Sequence, residues 1–317
     1  MKNFNILCSL LQNGAIPKHI GIIMDGNRRY ARRNNMDTRE GHARGFSTMM
    51  DLCQWALILG VKIITVYAFS IENFKRPKEE VDYLMELANQ KFSEMIEKSH
   101  KLQKLGVRIR VVGDFSPIPE KTKAILAKAV KATENNTGAL LNVCISYTSH
   151  EEILHSMRRL SKGVLEDHLI TSHDIDKTLF EQCMYIKEDL DILIRTSGEY
   201  RLSDFMLWQS TFCNSNFLKV LWPDFSFFHF FYIVFLYQSN YIYLREKINN
   251  QLNYSQNIQC NNNPNNSNSN SNSSSNGSED HNEETLRRKR VETFLQYIKE
   301  MDIKTFDEME HSYPLNT

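Results

Sequence analysis

Five short apolar runs, separated by longer and more polar segments, constrain the fold of this chain more than any other feature of its sequence. They occupy residues 20–24, 61–69, 107–112, 140–147 and 190–194. Most are apolar almost without interruption, as expected of parallel strands that are covered on both faces. Between them, 41–59, 78–104 and 119–133 repeat apolar residues at helical spacing. Strands that alternate with helices predict an α/β fold with a central, mostly parallel sheet flanked by helices.

Polar residues follow several of these strands at the point where each strand ends. They are Asp25, Gly26, Asn27, Arg28 and Arg29 after the first strand, Ser70, Asn73 and Arg76 after the second, and Arg195, Arg201 and Ser203 after the last. Ligands of open parallel sheets bind outside the carboxyl ends of the strands. We therefore expect these side chains to converge on one edge of the sheet, although they come from distant parts of the chain.

The first of these sets combines one carboxylate with a helix start and several arginines. A turn at Gly26 and Asn27 would expose free backbone N–H groups, which attract an anion. The guanidinium groups of Arg28 and Arg29 match phosphate oxygens. Asp25 would repel a phosphate unless a cation such as Mg²⁺ lay between them. The pattern indicates a site for Mg²⁺ and a diphosphate; the alternative is that Asp25 caps the start of a solvated basic helix.

A second compact set of anion-binding side chains falls within residues 195–205, where Arg195, Arg201 and Ser203 share one predicted loop. Guanidinium groups close together bind phosphate well. The alternative is that these are ordinary solvated surface arginines. Two separate anion sites at one edge would indicate two phosphorylated substrates, or one substrate with two distant phosphates.

Two further motifs are compatible with either a structural role or a role in binding. His42 begins the first long helix, where a histidine usually has a structural role, yet a phosphate contact fits its place close to the Asp25 loop. Asn73 and Arg76 either belong to an ordinary strand-to-helix turn or flank the phosphates of a substrate whose apolar part lies against neighbouring aromatic residues.

Charge, cysteine usage and hydropathy argue against three broad classes of protein. The 38 Lys and Arg balance the 38 Asp and Glu, whereas a general nucleic-acid binder carries a basic excess. The six cysteines form no CxxC pair and predict reduced thiols rather than a disulfide framework. The apolar stretch 225–244 is interrupted by His229 and Gln238, so it predicts a buried or interfacial helix rather than a membrane span.

Several stretches match the motifs of a known family. They are "HIGIIMDGNRRYARR", "EGHARGF", "TVYAFSIENFKRPKEEVDYLMELANQKF", "LNVCISYTS", "ILIRTSGEYRLSDFMLWQ" and "VLWPDF". Taken in this order, the chain resembles the cis-prenyltransferases, of the undecaprenyl diphosphate synthase type, and most of all their eukaryotic catalytic subunits. The resemblance runs from Lys18 to Leu244. It implies a single catalytic domain with a hydrophobic tunnel, distinct from a dinucleotide-type Rossmann domain.

The resemblance implies an enzyme that condenses isopentenyl diphosphate repeatedly onto an allylic diphosphate, with farnesyl diphosphate as the expected starter and Mg²⁺ as the cofactor. The product would be a long-chain polyprenyl diphosphate, a dolichol precursor. Asp25 matches an essential aspartate that handles Mg²⁺ and diphosphate. The family's allylic diphosphate site is matched by Gly26, Asn27, Arg29 and His42. The residues that flank the reacting centre are matched by Asn73 and Arg76, and the isopentenyl diphosphate site is matched by Arg195, Arg201 and Ser203. Arg28 and Ser70 join the predicted substrate-binding set from the same two loops.

Two departures from the bacterial homodimeric members point to a partner. Those members carry a metal-binding Glu six residues after the Trp of "LWQ", where this chain has Asn214. Members that complete the site with their own C-terminus, or with a partner's, end in an Arg-x-Gly motif, whereas the sequence here ends "HSYPLNT". Eukaryotic catalytic subunits share both departures. The resemblance therefore implies a heteromer with a Nogo-B-receptor-like, non-catalytic subunit, peripheral to the cytosolic face of the endoplasmic reticulum membrane. The alternative, a non-catalytic scaffold subunit of the same fold, would have lost the Asp and the RTSGE-like loop, and both are intact here.

Composition and residue spacing divide the chain into four segments. Residues 1–16 are predicted to form an amphipathic segment, a candidate for membrane association, and 17–248 the catalytic domain. The Asn- and Ser-rich segment 249–283 has almost no aliphatic residues with which to offset the entropy of ordering, so it predicts a disordered insertion. Helical spacing returns in 284–317, which predicts a helical tail that packs on this domain or on a partner.

Overall fold

A single parallel sheet organises the first of two compact units. The computed structural model describes residues 2–261 and 277–314. The first unit comprises the described parts of Met1–Leu154, Tyr185–Ser239 and Asp302–Thr317, and the second comprises those of His155–Met184 and Asn240–Met301. All six strands of the sheet lie in the first unit.

In the residues that the structure describes, the sheet contains six strands, and every neighbouring pair is parallel. The strands are β1 (His19–Ile23), β2 (Ile63–Ser70), β3 (Val107–Val112), β4 (Ala139–Tyr147), β5 (Ile192–Arg195) and β6 (Asn214–Phe217). Their order across the sheet is β3-β4-β2-β1-β5-β6. β1 and β5 are buried along their whole length, which explains why their sequences are apolar without alternation. The predicted α/β fold with a central parallel sheet is confirmed.

Ten α-helices accompany the sheet in the described residues. They are α1 (Lys2–Gln12), α2 (Asn27–Arg33), α3 (Thr38–Leu59), α4 (Lys78–Glu97), α5 (Ser99–Leu105), α6 (Glu120–Lys131), α7 (Ser149–Leu165), α8 (Lys177–Gln182), α9 (Phe227–Asn261) and α10 (Gly277–His311). The single helix predicted over 78–104 is instead two, because Lys98 leaves the helical conformation at φ −95° and ψ 16°. No glycine or proline marks this break, so the sequence offered no signal for it.

The sequence prediction missed β6. Its four residues, NSNF, include two asparagines, which are depleted in strands. β6 lies at the edge of the sheet and, within the described part of the chain, pairs only with β5, with Asn214 opposite Ile192 and Phe217 opposite Arg195. This strand exists because β5 offers it a backbone partner, which local composition could not indicate.

Helices extend into both ends of the predicted insertion 249–283. α9 continues to Asn261 and α10 begins at Gly277, so the backbone at 249–261 and 277–283 is helical rather than irregular. The middle of the predicted insertion, 262–276, lies outside the described residues. No helix in the described ranges has the length and apolar character needed to cross a membrane.

The second unit has an apolar core of its own, to which the C-terminal helix contributes. The core contains Leu160, Ile170, Leu179, Cys183, Phe294 and Ile298. Phe294 packs so closely on Gly163 that a Cβ there would lie 2.4 Å from its ring. Arg290 donates two hydrogen bonds to Asp174, at 2.9 and 2.7 Å, and they hold the pKa of that carboxyl well below its usual range. The predicted tail helix therefore packs back on its own chain.

The order of the strands decides which loops meet at the carboxyl edge of the sheet. β1 lies between β2 and β5, and all three run in the same direction. The loops after these three strands carry the polar residues singled out in the sequence. They are consequently neighbours in space.

Candidate active site

Asp25 lies just beyond the end of β1, in a turn that the neighbouring loops hold in place. Its carbonyl oxygen accepts hydrogen bonds from the backbone N–H of Trp222 at 3.1 Å and from the Thr196 hydroxyl at 2.6 Å. Gly26 follows with φ +115°, and a Cβ at this position would lie 3.1 Å from the Trp222 nitrogen. Glycine tolerates both the backbone angle and the close approach. α2 then begins at Asn27.

An ion pair joins Asp25 to the last residue of β5. Arg195 Nη2 donates to Asp25 Oδ2 at 3.0 Å, and Arg29 Nη2 lies 3.7 Å from the same oxygen. The Arg195 side chain is 4% exposed, whereas that of Asp25 is 31% exposed. Asp25 Oδ1 has no hydrogen-bond partner among the described residues. The carboxylate thus neutralises a buried guanidinium through one oxygen and leaves the other available to a ligand.

Arg195 also organises the loop that follows β5. Its Nη1 donates to the carbonyl oxygen of Arg201 and, at 2.6 Å, to the Ser203 hydroxyl. The guanidinium of Arg201 is 67% exposed and pairs with Glu199 at 2.6 Å. Three residues were predicted for the isopentenyl diphosphate site. Arg195 and Ser203 contact each other, and Arg195 also binds Asp25. Arg201 lies at the solvent-exposed rim.

Arg29 links α2 to the same loop. Its Nη1 donates to the Ser197 carbonyl at 3.0 Å, its Nη2 donates to the Ser197 hydroxyl, and Glu199 lies 3.6 Å away. The two predicted anion sites, one after β1 and one after β5, are therefore adjacent and share Arg29 and Asp25 between them.

His42, Arg28 and Arg76 surround Glu80 on the other side of Asp25. Arg76 Nη1 donates to Glu80 at 2.8 Å, and Arg28 lies 3.7 Å from the second carboxylate oxygen. Burial, followed by the charges of Arg76 and Arg28, lowers the pKa of His42 to about 4, and Glu80 opposes this only in part. His42 is therefore a neutral imidazole at pH 7. The Asp25 charge also acts on Arg76, so this cluster and the ion pair share one electrostatic environment.

Ser70 and Asn73 fix the turn that follows β2. The Ser70 N–H donates to Asn73 Oδ1 at 3.2 Å, and the Ser70 hydroxyl accepts from the Glu72 N–H at 3.2 Å. This reciprocal cap starts the 3₁₀ turn Ile71–Lys75, after which Arg76 follows. Phe69 and Phe74 on either side of the cap contact each other edge to face at 4.8 Å. Polar and apolar surfaces therefore meet at this point of the edge.

Three polar atoms of the predicted site residues are buried without a hydrogen-bond partner in the described structure. They are Asn27 Oδ1, His42 Nε2 and Arg195 Nε. Buried polar groups in folded proteins are nearly always paired. Because these three lie at one edge of the sheet, their missing partners are typical of a binding site whose ligand completes the hydrogen bonding.

The donor set at Asp25 fits Mg²⁺ better than a metal held by the protein alone. No group of three or more His, Cys, Asp or Glu side chains gathers as a metal site in the described ranges. Mg²⁺ is commonly bound through one or two carboxylates, with waters and substrate phosphates filling the other positions. Asp25, with an Oδ1 that has no hydrogen-bond partner among the described residues and with two arginines close by, offers such a partial site.

Asn214 does not belong to this cluster within one chain. It opens β6 opposite Ile192, three positions before Arg195 along β5, and its Oδ1 accepts from Asn216 at 2.9 Å. Since a strand rises about 3.3 Å per residue, position 214 lies about 10 Å from the level of Arg195, toward the amino edge. A carboxylate at this position would not meet Asp25 of the same chain.

Sequence reasoning did not assign Tyr67 or Glu80 to the candidate site. Glu80 could have been found, because it stands four residues after Arg76, which is the spacing of a helical ion pair. Tyr67 could not. Its hydroxyl donates to the carbonyls of Tyr147 at 3.1 Å and of Ser203 at 3.2 Å, and Ser203 is 136 residues away in the sequence. Only the tertiary structure brings these groups together.

Known proteins match both the sequence and the fold. The prenyltransferase family model of undecaprenyl diphosphate synthase matches residues 23–243. The chain is 47% identical over 240 residues to the dehydrodolichyl diphosphate synthase complex subunit DHDDS of Homo sapiens, covering 75% of this chain and 72% of that protein. A dehydrodolichyl diphosphate synthase complex subunit of Schizosaccharomyces pombe is 45% identical over 239 residues, covering 74% of this chain and 89% of that protein.

Among solved structures, the fold is similar to that of lavandulyl diphosphate synthase from Lavandula x intermedia in complex with dimethylallyl diphosphate. The TM-score is 0.66 at 30% identity, and the match covers 70% of this chain and 95% of that chain. Residues 23–243, which match the family model, include all of the loops at the carboxyl edge of the sheet described above.

Proposed function

Since the chain belongs to the cis-prenyltransferase family of undecaprenyl diphosphate synthases, we propose that it is the catalytic subunit of a dehydrodolichyl diphosphate synthase. In this role it condenses isopentenyl diphosphate repeatedly onto an allylic diphosphate, with farnesyl diphosphate as the starter. The product is a long-chain polyprenyl diphosphate, a precursor of dolichol. Support comes from relatives of that name at 47% and 45% identity.

The allylic diphosphate binds where α2 begins. Gly26 lets the substrate approach the backbone, and Asn27, Arg28 and Arg29 surround the phosphates with donors. His42, neutral at pH 7, donates or accepts one hydrogen bond through its buried Nε2 without adding charge. This assignment is supported by the unpaired buried atoms of Asn27 and His42.

The isopentenyl diphosphate binds on the β5 side of Asp25. Its diphosphate is bound by Arg195 and Ser203 in the interior of the site and by the exposed Arg201 at the rim. Because the two binding loops share Arg29 and Asp25, the two substrates lie side by side. Ser70, Asn73 and Arg76 then flank the carbon atoms that join.

Asp25 would hold Mg²⁺, chiefly through its free Oδ1, and the ion when bound would withdraw charge from the departing diphosphate as a Lewis acid. The arginines of this edge provide further positive charge that is already in place before the bond breaks, and such fixed charges favour the transition state over the ground state. Phe69 and Phe74, in contact at 4.8 Å, form an apolar wall beside the reacting centre and exclude water from it. The growing hydrocarbon chain runs from there along the apolar faces of α3 and α4.

The observation that carries the proposal is the Asp25–Arg195 ion pair at 3.0 Å, with Arg29 beside it and three unpaired buried polar atoms around it. The test is incubation with farnesyl diphosphate, radiolabelled isopentenyl diphosphate and MgCl₂, followed by chromatography of the dephosphorylated products. A ladder ending in long cis-polyprenols is the expected result, and it should vanish with a chelator. Absence of any elongated product, with or without a partner subunit, would overturn the proposal.

The alternative in the same fold is a non-catalytic scaffold subunit. Such a subunit needs neither a metal-binding carboxylate nor a guanidinium paired with it. The intact Asp25, the loop from Arg195 to Ser203 and their mutual hydrogen bonds argue for catalysis.

The enzyme works in a heteromer with a Nogo-B-receptor-like, non-catalytic subunit, peripheral to the cytosolic face of the endoplasmic reticulum membrane. Relatives named as complex subunits support the heteromer. Exposed apolar side chains on α9, among them Phe228, Tyr232 and Phe235, offer a surface for the partner. On α1, Ile6 and Leu10 are exposed and suit a membrane surface.

The heteromer is tested by assaying the purified chain alone and together with a candidate partner. Long-chain synthesis should rise many-fold with the partner, and truncating the partner's C-terminal tail should abolish the rise. Full activity in the chain alone, unchanged by the partner, would remove the heteromer from the proposal while leaving the reaction in place.

A further inference from the structure

A cavity of about 380 Å³ opens at the amino edge of the sheet, opposite to the edge that carries Asp25. Lys62 stands just before β2, Arg108 is the second residue of β3, and the backbone of 136–140 leads into β4. β2 is eight residues long, which separates the two edges by about 25 Å at the usual rise per residue. The cavity is therefore separate from the candidate active site.

Positive charge dominates the lining of this cavity. Among the described residues it contains Lys62, Arg108 and Arg110 against a single acidic side chain, Glu188, which gives these residues a net charge of +2. Arg110 Nη2 pairs with Glu188 at 2.8 Å. Lys62 and Arg108 are exposed and form no ion pair with any residue that the structure describes. Two cations at one cavity without counter-ions repel each other, and a bound anion would relieve this repulsion.

Arg110 is held in place by a buried row of polar side chains that crosses the sheet. Its Nε donates to Asn142 Oδ1 at 2.8 Å, and the Asn142 amide donates to Thr65 Oγ1 at 2.9 Å. Thr65 Oγ1 in turn lies 2.7 Å from His19 Nε2. Asn142, Thr65 and His19 are fully buried. Because this row fixes Nε and Glu188 fixes Nη2, the guanidinium is pre-organised, and its Nη1 has no partner among the described residues.

We propose that this cavity, the amino-edge pocket, binds a small soluble phosphate-bearing anion such as inorganic diphosphate through Lys62, Arg108 and Arg110. Its net charge of +2 matches a phosphate group, which carries a charge of about −1.5 to −2 at pH 7, better than a single carboxylate, which carries one negative charge. The planar guanidinium groups favour phosphate oxygens for the same reason. The volume lies at the small end of ligand sites, which suits a free anion better than a large cofactor.

The test compares two double variants of equal charge change. Lys62→Ala with Arg108→Ala removes the two unpaired cations of the pocket, and Lys101→Ala with Lys104→Ala removes two exposed lysines of α5 that do not line it. Inorganic diphosphate is titrated into each full-length protein by calorimetry. Because the Asp25 edge also binds diphosphate in the proposed function, hydrogen exchange over 107–112 and 134–142 locates the second site.

Wild type and the α5 control should show diphosphate-dependent protection of 107–112 and 134–142, and the pocket variant should bind there on the order of 100-fold more weakly, about tenfold per cation lost. Protection confined to segments around Asp25 and Arg201, or equal binding by both variants, would overturn the inference. A further experiment measures binding of the protein to phosphatidylcholine vesicles that contain phosphatidic acid. Binding to these vesicles without binding of free diphosphate would assign the pocket to a lipid headgroup and overturn the soluble ligand. None of these outcomes depends on prenyltransferase activity, so this inference and the proposed function fail independently.

Discussion

Arg195 Nη2 and Asp25 Oδ2 lie 3.0 Å apart although 170 residues separate them in the sequence. The arginine side chain is almost completely buried and the carboxylate is its counter-ion, so Asp25 serves the fold as well as the proposed chemistry. A substitution at this position must therefore be read with a measure of folding beside the measure of activity.

Replacing Asp25→Asn should reduce turnover by about 10³-fold or more, because a metal ligand and its charge are lost where negative charge develops on the leaving group. Asparagine keeps an oxygen that can accept from Arg195 but removes the counter-ion of this buried guanidinium, so the melting temperature should fall while the protein stays folded at the assay temperature. Radiolabel incorporation and circular dichroism are measured together. Asp224→Asn, which breaks a more exposed ion pair with Arg33, is the matched control and should keep normal turnover. Near-normal activity in a folded Asp25→Asn enzyme would contradict the role of Asp25.

Arg201→Ala should raise the KM for isopentenyl diphosphate about tenfold or more while leaving the KM for the allylic starter nearly unchanged. The side chain is exposed and, among the residues that the structure describes, pairs only with Glu199, so stability should not change. Arg28→Ala, on the opposite side of Asp25, is the reciprocal variant and should affect the allylic KM instead. If the two variants exchange their effects, the two substrates have been assigned to the wrong loops.

Tyr67→Phe should weaken isopentenyl diphosphate binding without loss of the fold. The phenol holds the Ser203 carbonyl at 3.2 Å, while its ring stacks on Phe205 at 4.6 Å and would continue to do so as phenylalanine. Loss of one hydrogen bond of about 1 kcal/mol predicts a KM increase of about fivefold. Steady-state kinetics with varied isopentenyl diphosphate measure this increase. An unchanged KM would mean that the loop is held in place without the phenol.

Acidification should destabilise the protein through His19. Burial lowers the pKa of this imidazole to about 4, although the carbonyl of Asp189 and the nearby Glu188 oppose the shift. The unfolded chain takes up the proton first, near pH 6.5, so this stability is fully present above that pH and is lost as the pH falls toward 4. The loss approaches about 3 kcal/mol at most. His42 contributes in the same direction over the same range.

Urea unfolding at pH 7, 6, 5 and 4.5 measures this dependence. His19→Gln retains a hydrogen-bonding side chain beside Thr65 but does not titrate, so its stability should fall less steeply with pH than that of the wild type. His311→Gln, at an exposed position, is the control and should retain the wild-type slope. Identical slopes for all three proteins would mean that His19 is already protonated in the folded state or that it is accessible to solvent.

The sequence by itself predicted the sheet and the edge at which the proposed active site lies. Strands such as β1 and β5 are buried on both faces, so their apolar runs are continuous and recognisable without any knowledge of their neighbours. Parallel strands bring their carboxyl ends to one side, and this rule was enough to predict that the loops of Asp25, Asn73 and Arg195 would be neighbours. The residue types in these loops then indicated phosphate and Mg²⁺ chemistry.

Only the tertiary structure decided which of these groups touch. Asp25 pairs with Arg195 rather than capping α2, Tyr67 holds the Ser203 loop, and Asn214 stands at the level of Ile192, away from Asp25. The amino-edge pocket likewise depends on three strands that are distant in sequence. The physical reason is that the local sequence pattern shows only which faces of an element are buried, because burial is reflected in each residue type and its near neighbours. The partner of a polar group is chosen instead by strand order and register, which arise only when the whole sheet has formed.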